Sequence, residues 1–270
     1  MNSDSLTYLR RLVHTRAALV IDEDKDYLLR SRLEPVAKRV GLADIDALVA
    51  ELRRERSPEL VVDVVEALTT NETYFFRDQH PFEALRQHIL PALARTRSAS
   101  RVIRIWCAAA STGQEPYSVA MTVLDALPDA SLWTIDIVAT DINRTVLERA
   151  RRGVYKQHEV DRGLPPEVRG RWFERCGQEW SVRSEVQRCV RFEALNLLDP
   201  WPWREGFDVV FMRNVLIYFD VATKRGLLSR VREHLAPDGV LFLGSTETTL
   251  NLDDAFVPVR DRGSLYFRIG

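Results

Sequence analysis

At 270 residues with 46% hydrophobic side chains, the chain can form one large packed domain or a small domain joined to a medium one. Its 38 basic and 39 acidic side chains nearly cancel to a net charge of −1, which removes any global electrostatic reason to expect a nucleic-acid partner. No apolar run approaches the roughly 20 residues of a membrane span, and Cys107, Cys176 and Cys189 fit neither a disulfide framework nor a metal-ligand spacing, so a cytoplasmic protein with reduced thiols and no metal is expected.

Residues 1–72 read as a small all-helical domain. Tyr27, Leu29, Leu33, Val36, Ala37 and Val40 recur at close to helical spacing, and Gly41 is placed to end that helix. Ile45, Leu48, Val49 and Leu52 share one face of the next helix behind the candidate cap Asp44. Ser57-Pro58 opens another, with a stripe of Leu60, Val61, Val64, Val65 and Leu68. The segment 71–78 is polar and aromatic by turns and leads into Pro81; residues 73–80 are the expected linker to a second domain over 81–270.

In that second part a helix to about Ala94 and a loop at 96–100 precede a strand at 102–107. A helix at 116–127, a strand at 136–140 and a helix at 143–152 follow. Residues 153–190 break the rhythm with glycines, prolines, Trp172, Phe173 and Trp180, and are expected to form a small antiparallel β insertion. The stretch 207–212 is nearly all apolar, as buried parallel strands are. A helix at 221–235 behind Asp220, a turn at Pro237-Asp238-Gly239, a strand at 240–244 and a last edge strand at 265–268 complete the reading. Strands separated by helices predict an α/β fold with a parallel, doubly wound sheet.

In such a sheet, ligands bind beyond the carboxyl ends of the strands, and three segments fall there. The run Cys107-Ala108-Ala109-Ala110-Ser111-Thr112-Gly113-Gln114-Glu115-Pro116 joins a strand to a helix through small residues, which lets backbone approach a ligand and offers helix N–H groups to an anion. An ordinary tight turn would use the same residues. Asp141 closes the second strand, where a carboxylate accepts from ribose hydroxyls or caps the next helix. Arg213, Asn214 and Tyr218 leave the most apolar strand together, and Tyr218 is equally suited to packing with its hydroxyl at the surface. These residues suit a nucleotide-like ligand without choosing between NAD and S-adenosylmethionine. The lack of G-x-G-x-x-G in the first loop disfavours a dinucleotide pyrophosphate.

Several stretches, in one order, carry a resemblance. They are Leu68-Thr69-Thr70-Asn71-Glu72-Thr73-Tyr74-Phe75-Phe76-Arg77-Asp78, Ala110-Ser111-Thr112-Gly113-Gln114-Glu115-Pro116-Tyr117-Ser118, Ala139-Thr140-Asp141-Ile142, Gly153-Val154-Tyr155, Leu195-Asn196-Leu197-Leu198 and Phe211-Met212-Arg213-Asn214-Val215-Leu216-Ile217-Tyr218-Phe219-Asp220. Together they resemble the CheR family of chemoreceptor glutamate O-methyltransferases over nearly the whole chain. The resemblance implies a class I, Rossmann-like S-adenosylmethionine methyltransferase fold behind an all-helical N-terminal domain, with S-adenosylhomocysteine as product. It places Asn71, Thr73 and Arg77 over the cofactor and Gly113, Glu115 and Asp141 at its polar groups, with Asp141 on the ribose. Asn196 and Leu197 would flank the adenine, Arg213 and Asn214 would close the pocket near the methionine part, and Arg77 and Tyr218 would stand nearest the methyl. The family's Gly-His-Ser-Glu is here Gly244-Ser245-Thr246-Glu247, and the insertion, which in this family can dock a receptor's C-terminal peptide, is short.

The implied reaction is methyl transfer to a glutamate carboxylate, already ionised and nucleophilic at neutral pH, so that placement matters more than a general base. Arg77 would orient the carboxylate through a forked hydrogen bond, with Tyr218 adding another; the plainer role for Arg77 is an ion pair with Asp78 or Glu72. The implied partner is the Glu-rich cytoplasmic coiled coil of a methyl-accepting receptor. Arg30, Arg32, Lys38 and Arg39 form a basic cluster placed to meet it, or else a solvated helix face. A monomer is expected, with no membrane insertion. Two readings compete. Enzymes methylating amines or nucleic acids often carry Asn/Asp-Pro-Pro-Tyr where this chain has Asn214-Val215-Leu216-Ile217-Tyr218. The other is a cofactor-binding regulator that has lost catalysis, against which intact Arg77, Asp141, Asn214 and Tyr218 speak.

Overall fold

The computed structural model describes residues 2–127, 129–261 and 263–270. Four helices come first: α1 (Ser3–Ala17), α2 (Asp26–Arg39), α3 (Ile45–Leu52) and α4 (Pro58–Leu68). They bury Leu9, Val13, Leu29, Leu33, Leu48 and Val64 in a core of their own. The stripes expected for α2, α3 and α4 are the ones that face inward, and Asp44 caps α3 by accepting the Ala47 N–H at 2.8 Å. α1 lies outside the helices singled out by periodicity because its buried stripe, Ser5, Leu9, Val13 and Ala17, is half small or polar.

α5 (His80–Ala84) continues through a π-turn (Leu85–Ile89) into α6 (Leu90–Thr96). Then come β1 (Val102–Ala108), α7 (Gln114–Ala126), β2 (Thr134–Asp141) and α8 (Arg144–Arg152). The insertion follows as β3 (Val154–Lys156), α9 (Gln157–Asp161), α10 (Pro166–Trp172), β4 (Phe173–Cys176), β5 (Glu179–Val182) and α11 (Ser184–Gln187). The chain ends with β6 (Val190–Ala194), β7 (Phe207–Met212), α12 (Val221–His234), β8 (Leu235–Leu243), β9 (Phe256–Asp261) and β10 (Ser264–Ile269).

Seven strands form one sheet in the order β6-β2-β1-β7-β8-β10-β9, with β10 antiparallel to both β8 and β9 and the others parallel. Alternate residues feed two cores. Ile103, Ile105, Ile137, Val209, Phe211 and Phe242 point to one face, and Trp106, Val138, Val210, Met212 and Leu241 to the other. The insertion is the expected antiparallel sheet, ordered β3-β5-β4.

The strand expected at the edge, β10, is interior, and β9 takes the edge. β9 contains Pro258, which removes a ladder donor and is tolerated on an edge, so the sequence pattern hides it. The turn expected at 237–239 is the looped-out part of β8: the partner of Phe207 is Leu235, but that of Val209 is already Val240.

The two halves touch near the start of α12. Asp220 caps that helix by accepting the Thr223 N–H at 2.7 Å, and it also meets His14 of α1 at 2.9 Å. The Thr223 N–H, then His14, hold the Asp220 carboxyl down at about 2, below its ordinary 3.8. A depressed carboxyl contributes stability above its unfolded value and loses it as pH falls through the folded one. Asp220→Asn should therefore lower the urea midpoint at pH 7, and the gap to the parent should close between about pH 4 and pH 2. A gap that stays constant over that range would contradict the assignment.

Candidate active site

The carboxyl ends of β1, β2 and β7 meet where the chain order reverses across the sheet, the usual place for a ligand crevice in this architecture. The backbone is strained there. Ala109, Ser111 and Asn214 follow strand ends with φ of 56°, 51° and 58°, and Phe76, Asp78 and Gln79 on the neighbouring segment have φ of 52°, 66° and 45°. Left-handed non-glycine residues cost of order 1–3 kcal/mol each and gather at functional sites.

The segment 69–79 between α4 and α5 forms a strap over the crevice, and it interlocks with the strand-end loops. The Asp141 carboxylate accepts the N–H of Ser111 at 2.8 Å and of Asn143 at 2.9 Å. Asn143, not Asp141, caps α8, accepting from Val146 N at 3.2 Å. The Ser111 hydroxyl donates to the Asn71 carbonyl at 2.8 Å, fixing the strap over the β1 loop. Further along, Phe75 is fully buried edge-on to Tyr155 and Phe173, at centroid distances of 5.0 and 5.3 Å, so the insertion anchors the strap.

Between these elements lies a cavity of about 1040 Å³, its open mouth included. Asn71, Thr73, Arg77, Glu115, Asp141, Asn196, Leu197, Arg213, Asn214 and Tyr218 all line it. Gly113 does not. It sits at φ 94°, and a Cβ there would meet Ala150 Cβ and the Tyr155 hydroxyl at 2.9 Å, so it serves close packing of the loop.

One guanidinium organises the charges. Arg213 donates to Glu115 at 2.8 Å, to Asp78 at 2.6 Å and to the Arg77 carbonyl at 3.0 Å. Its side chain is 1% exposed, and its buried Nε–H has no hydrogen-bond partner among the described residues. Burial raises the Glu115 carboxyl pKa, opposed by Arg213; burial likewise raises that of Asp141, opposed by the Asn143 and Ser111 N–H groups. With Asp78 on Arg213 and Glu72 on Arg162 at 2.8 Å, Arg77 donates instead to the Glu72 carbonyl at 3.1 Å.

The chain matches two family models, "CheR methyltransferase, all-alpha domain" over residues 4–69 and "CheR methyltransferase, SAM binding domain" over residues 71–263. It belongs to the CheR methyltransferase family. It is 39% identical to a chemotaxis protein methyltransferase of Vibrio parahaemolyticus, covering 96% of this chain and 94% of that one. It is also 39% identical to chemotaxis protein methyltransferase 1 of Pseudomonas aeruginosa, covering 96% and 95%. This CheR protein is an S-adenosylmethionine-dependent methyltransferase, with S-adenosylhomocysteine as its product. Among the described residues no helix is long and apolar enough to cross a membrane.

Other functional positions of this CheR fold emerge only in three dimensions. Glu247 accepts the N–H groups of Gly244 at 2.6 Å, Asn214 at 2.7 Å and Ile217 at 3.2 Å. It thereby pins the loop that carries Arg213, Asn214 and Tyr218. The signal was the Gly244–Glu247 motif, whose partners the sequence does not give. Ala17 and Leu19, at the end of α1, also line the cavity, and Asn196 donates to the Arg16 carbonyl at 2.7 Å.

The basic cluster expected on α2 does not hold as one outward face. Arg30, Lys38 and Arg39 are exposed, with Arg39 paired to Asp63 at 2.9 Å. Arg32 is half-buried and turned inward, donating to the Leu68 and Thr69 carbonyls at 2.9 and 2.8 Å. It stands three residues after Leu29 and four before Val36, both buried, so it flanks the inward stripe.

Proposed function

We propose that this CheR methyltransferase esterifies glutamate side-chain carboxylates on the cytoplasmic coiled coil of a chemoreceptor, giving γ-methyl esters. The names of its relatives support the receptor as substrate. The observation that carries the chemistry is the cavity itself, which holds a carboxylate at one strand end, an Arg–Glu pair at another, and Arg77 with Tyr218 on its wall. In this reading residues 1–72 are the helical domain, 73–80 the linker and 81–270 the catalytic domain, and the protein works as a cytoplasmic monomer.

The cavity fits the cofactor. Asp141 uses two of its acceptor sites on backbone N–H groups, and a carboxylate has about four, so acceptors remain for ribose hydroxyls. The unmet Nε–H of Arg213 suits a carboxylate, Glu115 suits an ammonium group, and Asn196 and Leu197 border the space for an adenine. When bound, S-adenosylmethionine supplies an electrophilic methyl group on a sulfonium.

The protein's share is placement. Arg77 and Tyr218 orient the incoming carboxylate, whose ionised state at neutral pH makes it the nucleophile without proton removal. Arg77 must hold it loosely, since uniform stabilisation of the ground state would not accelerate transfer. The strap and the end of α1 wall part of the cavity, and a bound substrate that covers its mouth would displace water there, which favours a step that joins an anion to a cationic donor.

The direct test is incubation of the protein with methyl-labelled cofactor and a receptor cytoplasmic fragment. Label that is released by mild base and maps to glutamates is expected. Base-stable label, or cofactor binding without any transfer, would sink the proposal; the latter would favour a regulator without turnover.

A further inference from the structure

Arg32 was expected to meet the receptor, yet its guanidinium is bound to residues 68–70, two of which line the cavity. Nη1 donates to the carbonyls of Leu68 and Thr69 at 2.9 and 2.8 Å, and Nη2 to the Thr70 hydroxyl at 3.2 Å. Leu68 is the last residue of α4 and Thr69 its C-cap. The end of a helix leaves carbonyls without intrahelical partners and carries partial negative charge, which a planar cation with several donors satisfies.

What this fixes is the start of the strap. Thr69, Thr70 and Asn71 line the cofactor cavity. The Thr69 hydroxyl donates to the Glu66 carbonyl at 2.7 Å and accepts from the side-chain amides of Asn71 and Asn143, each at 3.1 Å. Asn143 caps α8, two residues after Asp141. One side chain of α2 is thus linked, through the end of α4, to both the strap and the ribose-side acid.

We infer that Arg32 is a positioning residue for the cofactor, holding the 69–71 segment in its binding geometry, and not a receptor-binding cation. The inference rests on the cavity being the cofactor site, and it needs no receptor to be tested. Arg32→Lys separates the two roles. It keeps the charge that docking would use, but loses the fork that spans two carbonyls and a hydroxyl.

Calorimetry with S-adenosylhomocysteine should show Kd raised about tenfold in Arg32→Lys and further in Arg32→Gln. Receptor KM and kcat at saturating cofactor should stay near those of the parent. Lys38→Glu, at an exposed position of the same helix, should leave that Kd unchanged. An unaltered Kd in Arg32→Lys, with or without a raised receptor KM, overturns the inference. If both Arg32 variants fail to fold, Thr70→Ala takes their place: a raised Kd supports the link, and parental affinity overturns it. Failure of the wild-type chain to methylate receptors would remove the proposed substrate while leaving the Kd comparison intact.

Discussion

Replacing Arg213 with methionine is expected to cost about 3–5 kcal/mol of stability and to abolish measurable binding of S-adenosylhomocysteine. Methionine keeps length and apolar packing but removes the partner of Glu115, whose side chain is 11% exposed. A buried charge left alone loses far more than the pair contributed. The variant also frees Asp78 and the Arg77 carbonyl, so the strap loses its tie to β7. The pH dependence gives a second check. Burial already raises the Glu115 carboxyl pKa, and Arg213 opposes that rise; without Arg213 it climbs further. A raised carboxyl costs stability only above its unfolded value and is relieved once protonated. The deficit measured by urea denaturation should therefore shrink from pH 7 to pH 5. A variant as stable as the parent at pH 7, or a deficit that grows on acidification, would refute this account.

Arg77→Ala should lower kcat/KM for receptor methylation about a hundredfold while weakening S-adenosylhomocysteine binding by a smaller factor. The guanidinium lines the cavity and is anchored only lightly, through the Glu72 carbonyl at 3.1 Å and beside the Tyr74 ring at 5.7 Å. Such a group can follow an incoming carboxylate. Arg77→Lys should recover only part of the loss, because an ammonium lacks the paired donors that fix a carboxylate's direction. Steady-state kinetics with parallel calorimetry would decide. Parental turnover in Arg77→Ala would remove Arg77 from the reaction.

The legible parts of this molecule were those whose meaning is local. The six residues of β7 are all buried, and a run that is apolar but for Asp208 says as much. The caps Asp44 and Asp220 stand directly before their helices, and each accepts an N–H of the first turn, as the expected N-caps do. Edges were harder. β6 was not singled out, because Arg191 and Glu193 interleave Val190 and Phe192 at the sheet's edge; in the fold Arg191 is tied to Asp136 at 2.9 Å. The cavity lining followed largely from the motifs, but not its mechanics. Positive φ at Phe76 contradicts the preference of a bulky side chain, and only tertiary contacts on both sides of the strap keep it there. The same holds for Arg32, whose charge suggested solvent while its register with Leu29 and Val36 pointed inward.

Asn196 reaches back 180 positions to the Arg16 carbonyl, and Val20 donates to the Tyr218 carbonyl at 2.9 Å. Recombination between relatives is constrained by that stitching. A chimera that exchanged everything before Asn71 would import a foreign rim for the cavity beside Asn196 and a foreign neighbour for Tyr218. Inheritance of residues 14–20 together with 196–220 keeps these seams, and the His14–Asp220 contact, matched.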